Sequence, residues 1–178
     1  MGEMIEAVVV NGESFGLEVS YSPDGSTLLG TGGELKNALP FLGEHFFVLY
    51  GDSLLPVDFS AVQLAYTQSG QYPLMTVLKN GDRWDKSNVL FQQGKLVEYN
   101  KRAPKPDMVY ADYGQCVVST NVLAPYPLDE PFDLVDLYQE LSSKGQLSGL
   151  EVHERFYEIG SHEGLNEVED YFFTMEKA

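Results

Sequence analysis

Apolar positions along the chain fall into two periods, one suited to strands and one to helices. Residues 3–10, followed by Asn11-Gly12, predict the end of a helix, with Gly12 able to take the left-handed conformation that terminates it. Leu17-Glu18-Val19-Ser20-Tyr21 alternates apolar and polar and predicts a half-buried strand, closed by the turn cluster Ser22-Pro23-Asp24-Gly25-Ser26. The glycine-rich stretch Leu29-Gly30-Thr31-Gly32-Gly33 then runs into a helical segment from Glu34 to Leu42, ended by Gly43. His45 to Tyr50 is a continuous apolar run between Gly43 and Gly51, the pattern of a strand buried on both faces of a parallel sheet.

Helical spacing returns from Phe59 to Ser69, and Leu74 to Leu78 predicts the next buried strand. Asn88 to Phe91 and Lys95 to Tyr99 bracket Gln92-Gln93-Gly94 as a hairpin. Ala111 to Ser119 reads as a strand containing Gly114, and Leu134 to Ser142 as an amphipathic helix with Asp133 and Asp136 at its positive end. Val152 to Ile159 predicts a last strand and Gly164 to Phe173 a last helix. Strands alternating with helices imply an open α/β sheet, which the hairpin makes mixed. Residues 1–178 read as one domain, without internal repeat or linker.

Composition narrows the function. The 43% hydrophobic content suffices for one core, and no apolar run approaches the roughly 20 residues of a membrane helix. Glu3 and Glu6 near the start do not resemble a secretory signal, and the single Cys116 allows no internal disulfide, as expected of a cytoplasmic protein. A net charge of −16 repels nucleic-acid backbones and anionic membranes. A phosphorylated small substrate stays compatible, because a divalent cation held by carboxylates reverses the sign locally.

Three segments carry a resemblance: Leu29-Gly30-Thr31-Gly32-Gly33-Glu34-Leu35, Phe47-Val48-Leu49-Tyr50-Gly51-Asp52-Ser53, and Phe156 to Leu165 with Glu158-Ile159-Gly160-Ser161 at its centre. In this order and spacing they resemble the sugar-phosphate nucleotidyltransferases, especially the branch acting on mannose- or heptose-type phosphates. The resemblance implies a Rossmann-like mixed sheet that binds a nucleoside triphosphate and a sugar 1-phosphate, with magnesium bridging the phosphates. It makes Asp52 a catalytic and metal-binding aspartate and Glu158 the second metal ligand. Lys101 would contact the sugar phosphate. Gly30, Thr31, Gly32 and Gly33 would contact base and sugar, and Asp112, Tyr113 and Gly114 would line the sugar pocket.

Each residue also has a plainer reading. Asp52 can cap a turn or helix, Glu158 can be an exposed strand-end carboxylate, and Lys101 can be an exposed structural lysine. A glycine-rich turn is often only a turn. His45, His153 and His162 lack zinc-ligand spacing, and Cys116 reads as a core residue.

The resemblance also implies a Gly-x-Gly-Thr-Arg-Leu phosphate loop and a Pro-Lys pair ahead of these segments, and the sequence contains neither. Losing one such donor commonly costs on the order of 10² to 10³ in rate, so the chain alone is expected to be impaired. In the family the first strand lies mid-sheet, so an amino-terminally truncated domain would leave sheet edges open. Two resolutions follow: the Leu17–Tyr21 strand pairs with the His45–Tyr50 strand, or copies associate through the exposed edge. The alternative function is a non-catalytic homo-oligomeric or partner-binding protein that reuses the fold.

Overall fold

The computed structural model describes residues 2–70, 72–128, 130–175 and 177. Eight strands and six helices are described: α1 (Gly2–Val9), α2 (Gly30–Ala38), β1 (His45–Leu49), β2 (Ser53–Leu54), α3 (Phe59–Gln68), β3 (Leu74–Lys79), β4 (Val89–Gln92), β5 (Lys95–Tyr99), β6 (Tyr110–Ser119), α4 (Thr120–Leu123), α5 (Leu134–Ser143), β7 (Ser148–Val152), β8 (Tyr157–Glu158) and α6 (His162–Met175). The mixed α/β architecture expected from the sequence is present.

Strands run β5-β4-β6-β3-β7 across the main sheet, and β1 adds to β6. Only the β3–β7 pairing is parallel among the described residues. The ten-residue β6 is the axis of the sheet, with β3 along one edge. Its other edge is shared between β1, which pairs residues 115–119, and β4, which pairs Tyr110.

Alternation along β3 sends Met75 and Val77 to one face and Leu74 and Leu78 to the other. On the first face Cys116 and Val118 of β6 join them beneath Leu123, Leu134, Leu137 and Tyr138 of α4 and α5. On the second, Val62 and Tyr66 of α3 cover Leu74 and Val117. Asp58 starts α3 as its N-cap, accepting from Ser60 N–H at 2.8 Å and Ala61 N–H at 3.3 Å. Cys116 is buried in the core as expected.

Several expectations are corrected. Leu17–Tyr21 forms no strand; it is tied to the preceding turn by Leu17 N–H to Gly12 O, Val19 N–H to Asn11 O and Tyr21 Oη to Val10 O. Alternation shows that a segment could bury one face, but this one pairs with no strand among the described residues. It does not pair with β1, so the first of the two edge resolutions is not realised. β1 itself is antiparallel, half-buried and paired on one edge, rather than buried in a parallel sheet.

The predicted strand Val152–Ile159 is two strands, because the polar triplet His153-Glu154-Arg155 leaves the sheet and Arg155 pairs with Glu167 of α6 at 2.7 Å. Helix α2 begins four residues earlier than expected, taking the glycines into its first turns. The short α4 carries too few residues to show a period.

Candidate functional site

Where β1 and β4 divide the edge of β6, that strand bulges: Met75 faces Cys116 and Val77 faces Asp112, leaving Thr76 opposite three residues. Gly114 sits in the bulge at φ +91°, a conformation that a side chain would strain. The bulge is held locally. Gly114 N–H donates to Asp112 Oδ1 at 3.0 Å, Asp112 N–H to Asn88 Oδ1 at 2.9 Å, and buried Thr76 Oγ1 to Gln115 O at 2.9 Å.

Against this bulge lies a cavity of about 200 Å³. Tyr113 and Gly114 belong to its floor, and Asp112 lines it although only 9% exposed. Tyr50, Asp52 and Ser53 enter from the turn after β1, and Phe156 and Glu158 from the segment around β8. The antiparallel β2–β8 ribbon brings the last two groups together: Ser53 faces Glu158, and Ile159 N–H donates to Asp52 O at 2.8 Å. Lys101, just after β5, and Asp85, from the β3–β4 loop, complete the lining.

The cavity is unbalanced in charge, with four carboxylates against the single ammonium of Lys101. Lys101 forms no ion pair among the described residues; its Nζ lies 6.0 Å from the Tyr50 ring centroid. Burial pushes the Asp112 carboxyl above its ordinary value, while the Gly114 N–H and the Lys101 charge oppose the rise. Burial also raises Tyr50 and Tyr99, with Asp112 adding to both. Both phenols therefore stay protonated and can donate.

Six of the ten residues singled out from the sequence meet here: Asp52, Lys101, Asp112, Tyr113, Gly114 and Glu158. Gly30, Thr31, Gly32 and Gly33 are outside the lining and dock instead on the start of α5. Gly32 and Gly33 N–H both donate to Phe132 O, at 3.0 and 3.2 Å, and Thr31 Oγ1 accepts from Leu134 N–H at 3.0 Å. A Cβ on Gly32 would stand 2.2 Å from the Phe132 ring, so glycine is required for this approach. Thr31 N–H reaches Asp133 Oδ1 at 3.4 Å, and Asp133 acts electrostatically on Tyr50, so this helix start flanks the cavity. Tyr50, Ser53, Phe156 and Asp85 were not anticipated. The first three adjoin or belong to quoted motifs, whereas Asp85 lies in a polar loop with no distinguishing pattern.

Among the described residues no group of three or more His, Cys, Asp or Glu side chains is arranged to hold a metal. Asp52 and Glu158 offer two hard oxygen donors beside one cavity. That set suits magnesium, which takes one or two carboxylates and completes its shell with water and substrate phosphate.

No family model matches the chain. It is 39% identical over 62 residues to an N-acetylmuramate alpha-1-phosphate uridylyltransferase of Neisseria meningitidis, a match spanning 34% of this chain and only 27% of that protein. It is 24% identical to a D-glycero-alpha-D-manno-heptose 1-phosphate guanylyltransferase of Campylobacter jejuni over 92% of this chain and 69% of the relative. Both relatives are sugar-phosphate nucleotidyltransferases, and the chain is similar to that family. Its fold agrees: the inositol-1-phosphate CTP transferase structure from T. maritima superposes with a TM-score of 0.69 at 24% identity, covering 92% of this chain and 68% of that one. The nucleotidyltransferase resemblance drawn from three short motifs thus extends to the sheet that carries them. No helix is long and apolar enough to cross a membrane among the described residues.

Proposed function

We propose that this chain binds a sugar 1-phosphate with magnesium in the cavity over the β6 bulge, as the sugar-binding part of a nucleotidyltransferase. The observation that carries the reading is the convergence of Asp52, Glu158, Lys101 and Asp112, from four separate segments, on one cavity. Asp52 and Glu158 hold the cation, which when bound neutralises phosphate charge. Lys101 faces the phosphate as the cavity's one ammonium. Asp112 and the Tyr50 phenol orient sugar hydroxyls, and the Gly30–Gly33 helix start flanks the nucleotide side.

The 178-residue chain does not complete nucleotidyl transfer alone. A triphosphate needs several cationic or N–H donors, and this cavity supplies one lysine among four carboxylates. Calorimetry with a neutral hexose 1-phosphate tests the reading. Binding should require magnesium and weaken roughly tenfold or more, about 1.4 kcal/mol, in Asp52→Asn. Binding indifferent to both would refute it, and steady pyrophosphate release from the unaccompanied chain would refute the impairment.

A second reading is favoured by one feature. The outer edge of β1 pairs with no strand among the described residues, and residues 2–28 expose Met4, Ile5, Val8 and Leu17. Such an edge suits self-association or a partner strand, and light scattering that reports a monomer at all concentrations removes it.

A further inference from the structure

We propose that Asp85 selects the substrate by charge, so that the sugar admitted to this cavity carries hydroxyl groups and no negative charge on its ring. The proposal rests on the sugar 1-phosphate reading above and assigns it a substrate class.

The loop of residues 80–88 between β3 and β4 is held by its own side chains. Asn80 donates through Nδ2 to the Asp85 carbonyl and accepts from Trp84 N–H at 3.0 Å. Asp82 N–H donates to Ser87 Oγ at 2.9 Å, and Ser87 N–H returns to Asp82 Oδ1 at 2.7 Å. The Lys86 ammonium at 2.6 Å, with the Ser87 contacts, holds the Asp82 carboxyl at about 2. On the other side, the Trp84 ring is stacked by Arg83 and Arg155, each 5.1 Å from its centroid. The backbone on both flanks of Asp85 is therefore fixed. A carboxylate presented in this way loses little freedom when a ligand arrives.

Charge then decides what it can meet. With Asp52 and Glu158 committed to the cation and Lys101 to the phosphate, Asp85 and Asp112 remain for the sugar ring. Both accept from hydroxyls. Asp112 is buried and already takes the Gly114 N–H, whereas Asp85 is exposed at the rim.

A carboxylate on the ring would face Asp85 with no cation to separate them. Neighbouring bases are engaged elsewhere: Lys86 with Asp82, Arg102 with Asp136, Lys105 with Glu98 and Arg155 with Glu167. Arg83 lines an adjacent cavity rather than this one. Like charges without a counterion in a confined site make the acidic sugar the poorer ligand.

The test is calorimetry on the 178-residue chain with magnesium, comparing glucose 1-phosphate and mannose 1-phosphate with glucuronate 1-phosphate. The better neutral sugar should bind roughly tenfold or more tightly than the uronate. Asp85→Asn keeps an oxygen for the Lys86 N–H, which Asp85 Oδ1 accepts at 2.6 Å, and should narrow that gap by roughly threefold or more by improving uronate binding. Raising the salt concentration should narrow it in the unaltered protein as well, a measure that needs no variant. Equal affinities for neutral and acidic sugars, or a gap unchanged both by Asp85→Asn and by salt, would overturn the proposal. Failure of every sugar 1-phosphate to bind is a different result: it overturns the sugar-phosphate reading, and this inference with it.

Discussion

Residues 2–28 and strand β3 both read in sequence as segments with a face to bury, and they end in opposite states. In β3, Leu74, Met75, Val77 and Leu78 are all within 2% of complete burial. In α1, Met4 and Val8 are more than 70% exposed, and across residues 2–28 only Gly12, which has no side chain, is buried. Period 2 and period 3.6 patterns state what could be covered; a second surface must do the covering. β3 lies between β6 and β7 under two layers of helix, whereas among the described residues no side chain of α1 is buried.

The widest test of that contrast is a matched pair of truncations. Leu123→Ala empties a fully buried position at the end of α4 and should cost about 3 kcal/mol in chemical denaturation. Ile5→Ala in α1 should change stability by less than about 0.5 kcal/mol. A cost above about 1 kcal/mol at Ile5 would break the comparison, because it would mean that a second copy or another surface covers α1 in solution.

Gly32→Ala probes the boundary between the two regions, where α2 meets Phe132. The added methyl has no room, and a loss of about 1–3 kcal/mol is expected by thermal or chemical melting.

A smaller effect, opposite in sign, belongs to Asp112. Its folded carboxyl titrates above the ordinary value, so the folded state keeps its proton longer than the unfolded chain does. Stability contributed in this way is fully present below the ordinary carboxylate range. It is lost as pH rises from there through the raised folded value. Asp112→Asn retains an oxygen for the Gly114 N–H and should remove that decline, giving a higher melting temperature than the unaltered chain at neutral pH. Parallel melting curves of the two proteins from acid to neutral pH would sink this account.

Long strands and helices were legible where burial and period agree, as in β3, β6, α3 and α5. The hairpin was legible from its turn, and Gln93 and Gly94 do take positive φ there. Val152–Ile159 misled because apolar content survives across the break that His153-Glu154-Arg155 makes. Of the six candidate site residues in the cavity, Asp52 and Glu158 were legible in the quoted motifs, and Lys101, Asp112, Tyr113 and Gly114 only through the wider family resemblance. Asp85 was not, since an aspartate in a polar loop carries no sign of the cavity it reaches.

By itself, then, the sequence determined which segments could form strands and helices, the acidic character of the surface, and the kinship carried by Gly30–Gly33, Asp52 and Glu158. Local backbone preference, hydrophobic period and short motifs are properties of neighbouring residues, so a linear reading contains them. Tertiary structure alone decided that β1 would be an edge, that Leu17–Tyr21 would find no partner, and that Asp85 would face Asp112 across one cavity. Those outcomes depend on surfaces meeting across long stretches of chain. The decisive meeting is the bulge at Gly114, where β6 passes from one partner strand to the next and opens the space between them.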